Sequence, residues 1–414
     1  MFFEFIIGLS DVYIAGIFGK DVQAAYGLAF QMYFVFILIA LALSTGTVSV
    51  VSRLFSQADK DEFGLAVGSS VILFAVAGIL SSLAGFIFAG SIIGSFNIPE
   101  RLKDVAILLL RIYSLGFLFD YMLLGINSIL RSCGLVKRSL TAMAVASILN
   151  VFLNFVLAFC TPLGFFGVAV ATVISLLAGS IIAAGYLTRI VDRYYGLSIS
   201  VVKKVISISW PSGMLQVVWQ VGSAVLFLIL GALPRYNVET MAAFTNGMKI
   251  ESAIFLPAFA FSMANAVVVG NVLGRKERKE AFRAGIVTAV LGVGVVTALT
   301  VVIMLNARHI ASFLSSDPIV VEECVKYIYI ALLSEPIMAW AVILGGGLNG
   351  AGDTIGVMTI VALSVWIVRI PLSYILGIYC GIGAVAIWWS MNLSILTHAI
   401  FVTRRYFAGK WAVA

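Results

Sequence analysis

The chain has 414 residues, 62% of them hydrophobic and 11% charged, with a net charge of +7 and a mean hydropathy of +1.11. Soluble chains carry about 25% Asp, Glu, Lys and Arg to cover their surface, so this composition excludes a water-soluble globular protein and requires a bilayer. The basic residues sit in short clusters between apolar runs, a distribution that orients a membrane protein and argues against nucleic-acid binding.

A membrane-crossing helix needs about 20 predominantly apolar residues. Breaking the chain at charge clusters, Gly and Pro predicts twelve such helices. The first half supplies Met1–Phe18, Val22–Leu54, Phe63–Phe96, Leu102–Arg131, Arg138–Cys160 and Phe165–Arg189. The second half supplies Ile208–Leu233, Thr240–Leu273, Ala281–Asn306, Ile319–Leu348, Thr354–Tyr379 and Ile382–Val402. Several runs exceed the minimum, which predicts tilted helices that project beyond the hydrocarbon. Met1-Phe2-Phe3-Glu4 lacks the basic start of a cleaved signal.

Lys and Arg in the connections set the orientation. One side receives Arg53, Lys60, Arg131, Lys137, Arg138, Arg189, Arg193, Lys203, Lys204, Arg275, Lys276, Arg278, Lys279, Arg283, Arg404, Arg405 and Lys410. The other receives Lys20, Arg101, Lys103, Arg235 and Arg308. Seventeen against five places both termini in the cytoplasm under the positive-inside rule.

The two halves repeat. Ala24-Ala25-Tyr26 matches Ala242-Ala243-Phe244, Val50-Val51-Ser52 matches Val268-Val269-Gly270, and Leu130 to Gly134 matches Leu348 to Gly352, all 218 residues apart. Six spans in each half make the repeats parallel, related by an axis along the membrane normal. The expected division is an amino-terminal lobe, 1–195, and a carboxy-terminal lobe, 196–414, which includes most of a polar linker, Asp192–Ser207. Trp210-Pro211 opens the seventh helix, and its counterpart falls before Met1, so the first helix is expected to be short by a turn or more.

Ionisable residues inside spans cost about 2.5–3.5 kcal/mol on insertion scales and are functional candidates by default. They are Asp11, Asp120, Glu251 and Glu335, with Arg111, Lys249 and Arg369 as candidate partners. Asp11 lies mid-span, and its repeat counterpart is Ile229, so it serves one half alone. A carboxyl group shielded from water can hold or release a proton as its surroundings open. Asn150 and Asn154 stand one turn apart on one helix face, where they can orient Asp11, ligate a cation or bond neighbouring helices. Lys249 and Glu251 are two residues apart and cannot share a face, so each needs another partner or a wet cavity. Arg369 adjoins the kinking Pro371, and His309 and His398 lie near span ends. Cys133, Cys160, Cys324 and Cys380 show no metal-ligand spacing, and no phosphate loop, nucleophile elbow or paired-histidine motif is present. The expectation is no enzyme, no cofactor and no bound metal other than sodium near Asp11.

Asp11-Val12-Tyr13-Ile14-Ala15-Gly16, Asn150-Val151-Phe152-Leu153-Asn154, Gly167 to Thr172, Leu348 to Thr354 and Arg369-Ile370-Pro371 together resemble the multidrug and toxic compound extrusion (MATE) transporters, over essentially the whole chain. The branch related to archaeal and DinF-type members fits best. The resemblance implies an all-α membrane protein of twelve helices, in two six-helix lobes forming a V and working by alternating access. It also implies export of organic, often cationic, compounds against inward H+ or Na+, across the cell membrane. By position, Asp11 would be the coupling carboxylate, with Asn150 and Asn154 beside it; Thr172 and Ser175 are expected to complete the cation-coupling set, and Glu251, Lys249, Arg369 and Asp120 to line the substrate cavity. Some relatives carry a second carboxylate in the sixth helix; here only Thr172, Ser175 and Ser180 are available, which shifts the expectation toward protons. The expected partners are a drug-like molecule, the cation and the bilayer, around a monomer. A lipid-linked saccharide flippase of the same superfamily is the rival, although few cationic residues lie in the spans for a pyrophosphate. A non-transporting membrane receptor or scaffold is the reading from another class.

Overall fold

The computed structural model describes residues 2–57, 60–96, 100–189, 196–314, 317–409 and 411, and every regular element among them is helical. In hydrocarbon no water satisfies a backbone N–H or C=O, so apolar runs of this length close their hydrogen bonds internally as helices. Asp192, Arg193 and Lys410 lie outside the described residues, as do the side chains of Glu4, Lys20 and Arg101.

The first unit contains α1 (Phe2–Phe18), α2 (Lys20–Ser56), α3 (Lys60–Gly94), α4 (Glu100–Ser132), α5 (Val136–Phe159) and α6 (Phe166–Leu187). After α7 (Ile199–Gly231) come α8 (Asn237–Gly274), α9 (Arg278–Leu305), the short α10 (Ala307–Leu314), α11 (Pro318–Ala331) and α12 (Glu335–Gly350). The last span but one is wound as α13 (Thr354–Leu363), a π-helical stretch Ser364–Arg369, α14 (Ile370–Tyr374) and a second π stretch Ile375–Tyr379; α15 (Ala384–Phe407) ends the set. Eleven helical stretches among the described residues are long and apolar enough to cross a membrane, and α1, at 17 residues, falls just short of the length a full crossing needs. The linker expected over Asp192–Ser207 is partly helical: α7 begins at Ile199, and Val205 and Ile208 are buried against α2, α4 and α5. Sequence polarity hid this because Lys203 and Lys204 take the exposed side of those turns. The short α10 was not predicted.

Two compact units emerge, Met1–Ser209 and Trp210–Ala414. The offset of 218 holds at helix starts: α3 and α9 at Lys60 and Arg278, α4 and α11 at Glu100 and Pro318, α5 and α13 at Val136 and Thr354, α6 and α15 at Phe166 and Ala384. One matched motif has a local cause. Gly134 (φ 73°) and Gly352 (φ 89°) are left-handed residues just past α4 and α12. Leu135 N–H donates to Leu130 C=O and Asp353 N–H to Leu348 C=O, each at 2.9 Å, so both helices close with the same glycine-requiring cap.

Each unit has its own packed interior. In the first, Ile14 and Ala15 of α1 are buried against Tyr26, Leu110, Tyr113, Ala158 and Val168. That layer holds Asp11 in place. In the second, Leu226 and Leu230 of α7 pack with Phe244, Tyr327 and Trp388.

Candidate functional site

Unit 1 concentrates polar groups at one level of α1, α2, α5 and α6. Asp11 is 3% exposed, and Asn150 and Asn154 are fully buried. Asn154 Nδ2 donates to Asp11 Oδ1 at 2.6 Å and to Asn150 Oδ1 at 3.1 Å. Tyr26 Oη donates to Asp11 Oδ2 at 3.4 Å. Asn150 Nδ2 then donates to Thr172 Oγ1 and Ser175 Oγ, both at 3.2 Å. These two hydroxyls stand on one face of α6 and spend their own protons on backbone carbonyls: Thr172 on Val168, and Ser175 on Ala171 and Thr172. Their oxygens are thereby left as acceptors for Asn150. The result is a directed chain from the α1 carboxylate through two amides to two hydroxyls. It brings together all five residues of the expected coupling set.

Every group aimed at the Asp11 carboxylate is an N–H or O–H donor, which suits an anion that alternates with its protonated form. Two buried polar atoms beside it have no protein partner, Asn154 Oδ1 and the Tyr113 hydroxyl. Tyr113 is within electrostatic reach of Tyr26 and Asp11. Such atoms are satisfied by ordered water or a bound group. No cluster of three or more His, Cys, Asp or Glu occurs among the described residues.

The four residues expected to line a substrate cavity separate. Asp120 belongs to unit 1, where it accepts a hydrogen bond from Tyr33. Lys249 is on an exposed face of α8, turned from Glu251 as their spacing required. Glu251, Glu335 and Arg369 lie within electrostatic reach of one another in unit 2. Tyr327 Oη donates to Glu251 Oε1 at 2.6 Å, and the Arg369 guanidinium lies over the Trp219 ring at 5.1 Å. Arg369 ends a π stretch beside Pro371, where the helix is widened. His398, expected near a span end, is buried within α15 and feels the Arg369 charge. Arg111 is on the exposed side of α4, 5.8 Å from the Phe86 ring.

Sequence reasoning missed Tyr26, Tyr33, Tyr113, Tyr327 and Trp219. A signal for some of them lay in the repeat. Tyr26 stands where the second half has Phe244, Asn150 where it has Val368, and Asn154 where it has Leu372. Polar residues replacing apolar counterparts mark the half that carries Asp11.

The described residues form a helical membrane protein of two repeated halves, with a polar network around Asp11 in the first, an organisation many transporters share. The MatE family profile matches residues 1–156 and 211–375, and the chain belongs to that family. It is 24% identical to a probable multidrug resistance protein NorM of Thermotoga maritima, over 99% of this chain and 89% of that protein. It is 26% identical to a protein of the same description from Bradyrhizobium diazoefficiens, over 96% and 88%. Its fold is that of solved MATE structures. A MOP superfamily transporter from Pyrococcus furiosus, described as having a binding pocket of reversed polarity, aligns with a TM-score of 0.91 at 20% identity, over 99% of this chain and 93% of that one. A MATE transporter in the bent conformation aligns equally well, at 0.91 and 20% identity, over 99% and 92%. Members of this family are transporters, not enzymes.

Proposed function

We propose that this chain is a secondary active multidrug exporter of the cell membrane, with both termini cytoplasmic, that moves drug-like organic compounds outward in exchange for an inward cation by alternating access. The names of its relatives support the substrate class. The observation that carries the antiport reading is the Asp11–Asn154–Asn150–Thr172/Ser175 chain, an ionisable group wired across three helices in a unit that packs it away from bulk water. The coupling ion this arrangement favours is the proton. A sodium ion needs several oxygen acceptors turned inward. Here the carboxylate oxygens already face donors, and the Thr172 and Ser175 oxygens face Asn150.

Protonation has a specific consequence. Ionised Asp11 accepts from Asn154 and Tyr26. Neutral Asp11 must donate, and Asn154 Oδ1 is an unpartnered acceptor on the residue already bonded to it. Turning that amide presents Oδ1 to Asp11 and withdraws Nδ2 from Asn150 Oδ1. The change passes to α6 through Asn150, so one proton re-sets contacts among α1, α5 and α6 and shifts the balance between inward-open and outward-open states.

The test uses purified protein in liposomes, with an imposed pH gradient in sodium-free buffer and a fluorescent cationic dye. Asp11→Asn is expected to lose at least about tenfold in gradient-driven efflux, a change of ~1.4 kcal/mol in barrier. Full efflux from Asp11→Asn would remove Asp11 from the mechanism. Movement under a sodium gradient alone would replace the coupling ion and leave the exporter reading in place.

A further inference from the structure

A second carboxylate in unit 1 is tied to the first by tyrosines. Tyr26 and Tyr33 lie seven residues apart on α2, and Tyr113 and Asp120 lie seven apart on α4. Seven residues are two turns, so each pair shares a helix face with a rise of about 10 Å between its members. The two helices pack along these faces. Tyr33 donates to the Asp120 carboxylate, and its ring lies 5.4 Å from that of Tyr113 and 5.4 Å from that of Phe117. Tyr26 and Tyr33 are joined through Phe30, with stacked rings at 5.7 and 5.8 Å. At the level of Asp11, Tyr26 donates to the carboxylate, and the Tyr113 hydroxyl is buried beside them without a protein partner.

We propose that Asp120 is a second proton-binding site, loaded from Asp11 along the hydroxyls of Tyr26, Tyr113 and Tyr33 with intervening water. The inference rests on proton coupling at Asp11. In the net step the O–H bond of neutral Asp11 breaks and an O–H bond forms on the Asp120 carboxylate. Each hydroxyl and water between them accepts one proton and passes on another, so the three phenols end neutral and no electrons move. A buried hydroxyl lacking a protein partner recruits water, which supplies the bridge the path needs at Tyr113. The surroundings of Asp120 suit this role. Tyr33 faces it from α2 and Tyr121 lies beside it on its own helix, fixed by bonds to Phe36 C=O at 2.6 Å and to Ser81 of α3 at 2.8 Å. From α6 this stretch of α4 meets the apolar Val173 and Leu176. Asp11 is faced by Tyr26, Tyr113 and Asn154, and Ser10 Oγ accepts a further bond from Asn154 Nδ2. The repeat sharpens the point: the counterparts of Tyr113 and Asp120 are Ala331 and Met338, so the path exists only in the half that carries Asp11.

Two readouts test this on the full chain. Infrared difference spectra on acidification, in detergent, should show a protonated-carboxyl band that Asp120→Asn removes and a second that Asp11→Asn removes. In liposomes Asp120→Asn should cut proton-driven dye efflux at least about tenfold, with the dye Kd within about twofold of wild type. Tyr33→Phe, which keeps the ring packing, should slow efflux with the same unchanged Kd. An unaltered spectrum or full efflux from Asp120→Asn overturns the second site. If wild type then still runs on protons and Asp11→Asn does not, coupling at Asp11 stands without it. Wild-type efflux indifferent to a pH gradient overturns both.

Discussion

The two units share a helix plan and differ in how each accommodates intramembrane charge. Unit 1 surrounds Asp11 with neutral donors, Asn154 and Tyr26, and surrounds Asp120 with Tyr33 and Tyr121. Unit 2 sets two carboxylates, Glu251 and Glu335, against one guanidinium, Arg369, which also rests on Trp219. The helices that carry these groups correspond: α5 bears the asparagines in regular α-helix, while its counterpart bears Arg369 in a π-wound stretch beside Pro371. A neutral donor shell lets a carboxyl gain or lose a proton without leaving another buried charge uncompensated. Ionisable groups that act on one another through space tie the charge of each to that of the others. One repeated helix plan thus carries two different electrostatic arrangements.

The largest effect expected from this contrast is in unit 2. Arg369→Gln removes a buried cation within electrostatic reach of both carboxyl groups and should cost up to about 3 kcal/mol of stability, the upper end of the usual range for a single substitution. Thermal unfolding in detergent reads it out. The double variant with Glu335→Gln reads whether the loss is shared with that carboxyl group. Stability equal to wild type in Arg369→Gln would mean that the carboxylates do not depend on the arginine, and the contrast between the units would fall.

What was legible in the sequence follows the same division. Apolar runs and the 218-residue repeat set out the spans and the two halves, because lipid leaves a long apolar segment little choice but a helix. The start of α7 was not legible, because Lys203 and Lys204 read as linker while Val205 and Ile208, which follow them, are buried. Asp11, Asn150 and Asn154 were legible as polar residues in apolar helices. Their partners were not. Tyr26, Tyr33 and Tyr113 look like ordinary interfacial or core aromatics until the fold places their hydroxyls, and only the Phe244 opposite Tyr26 in the repeat hints that an oxygen had been added. The joining of Glu251, Glu335 and Arg369 depends on contacts among residues more than 30 positions apart, which no local pattern encodes.

A smaller effect should be equal in the two units, and so tests where their likeness ends. Gly134 and Gly352 close α4 and α12 in the same left-handed conformation with matching hydrogen bonds. Gly134→Ala and Gly352→Ala should each cost about 1–2 kcal/mol, the penalty for a Cβ in that region. The neighbouring Asp353, held by Arg405 through bonds of 2.6 and 2.7 Å, adds a tie in unit 2 that Leu135 cannot make. Even so, the backbone penalty belongs to the glycine itself. Unfolding midpoints lowered by similar amounts would show that the caps are a shared inheritance, and tolerance at one position would show that the repeat no longer has the same structural meaning there.

The smallest expected effect is the most discriminating, because it moves one oxygen between equivalent positions. Tyr26→Phe removes a 3.4 Å hydrogen bond to Asp11, while the ring keeps its packing on Phe30 and Phe165. The stability cost should be about 0.5–1.5 kcal/mol, as for a typical intramolecular hydrogen bond. Phe244→Tyr makes the opposite exchange in unit 2. Its ring packs 5.7 Å from Trp388 and 5.8 Å from Tyr327, and the position facing it where unit 1 has Asp11 is Ile229. A hydroxyl introduced there meets an apolar side chain instead of a carboxylate, so this variant should lose about 1–3 kcal/mol, the cost of a buried polar group without a partner. Comparing the two unfolding midpoints gives the sign of the argument. If the added hydroxyl costs more than the deleted one, the Tyr26 oxygen is held by the carboxylate it faces; if Phe244→Tyr is tolerated and Tyr26→Phe is not felt, that oxygen has no partner worth keeping and Asp11 is stabilised from α5 alone.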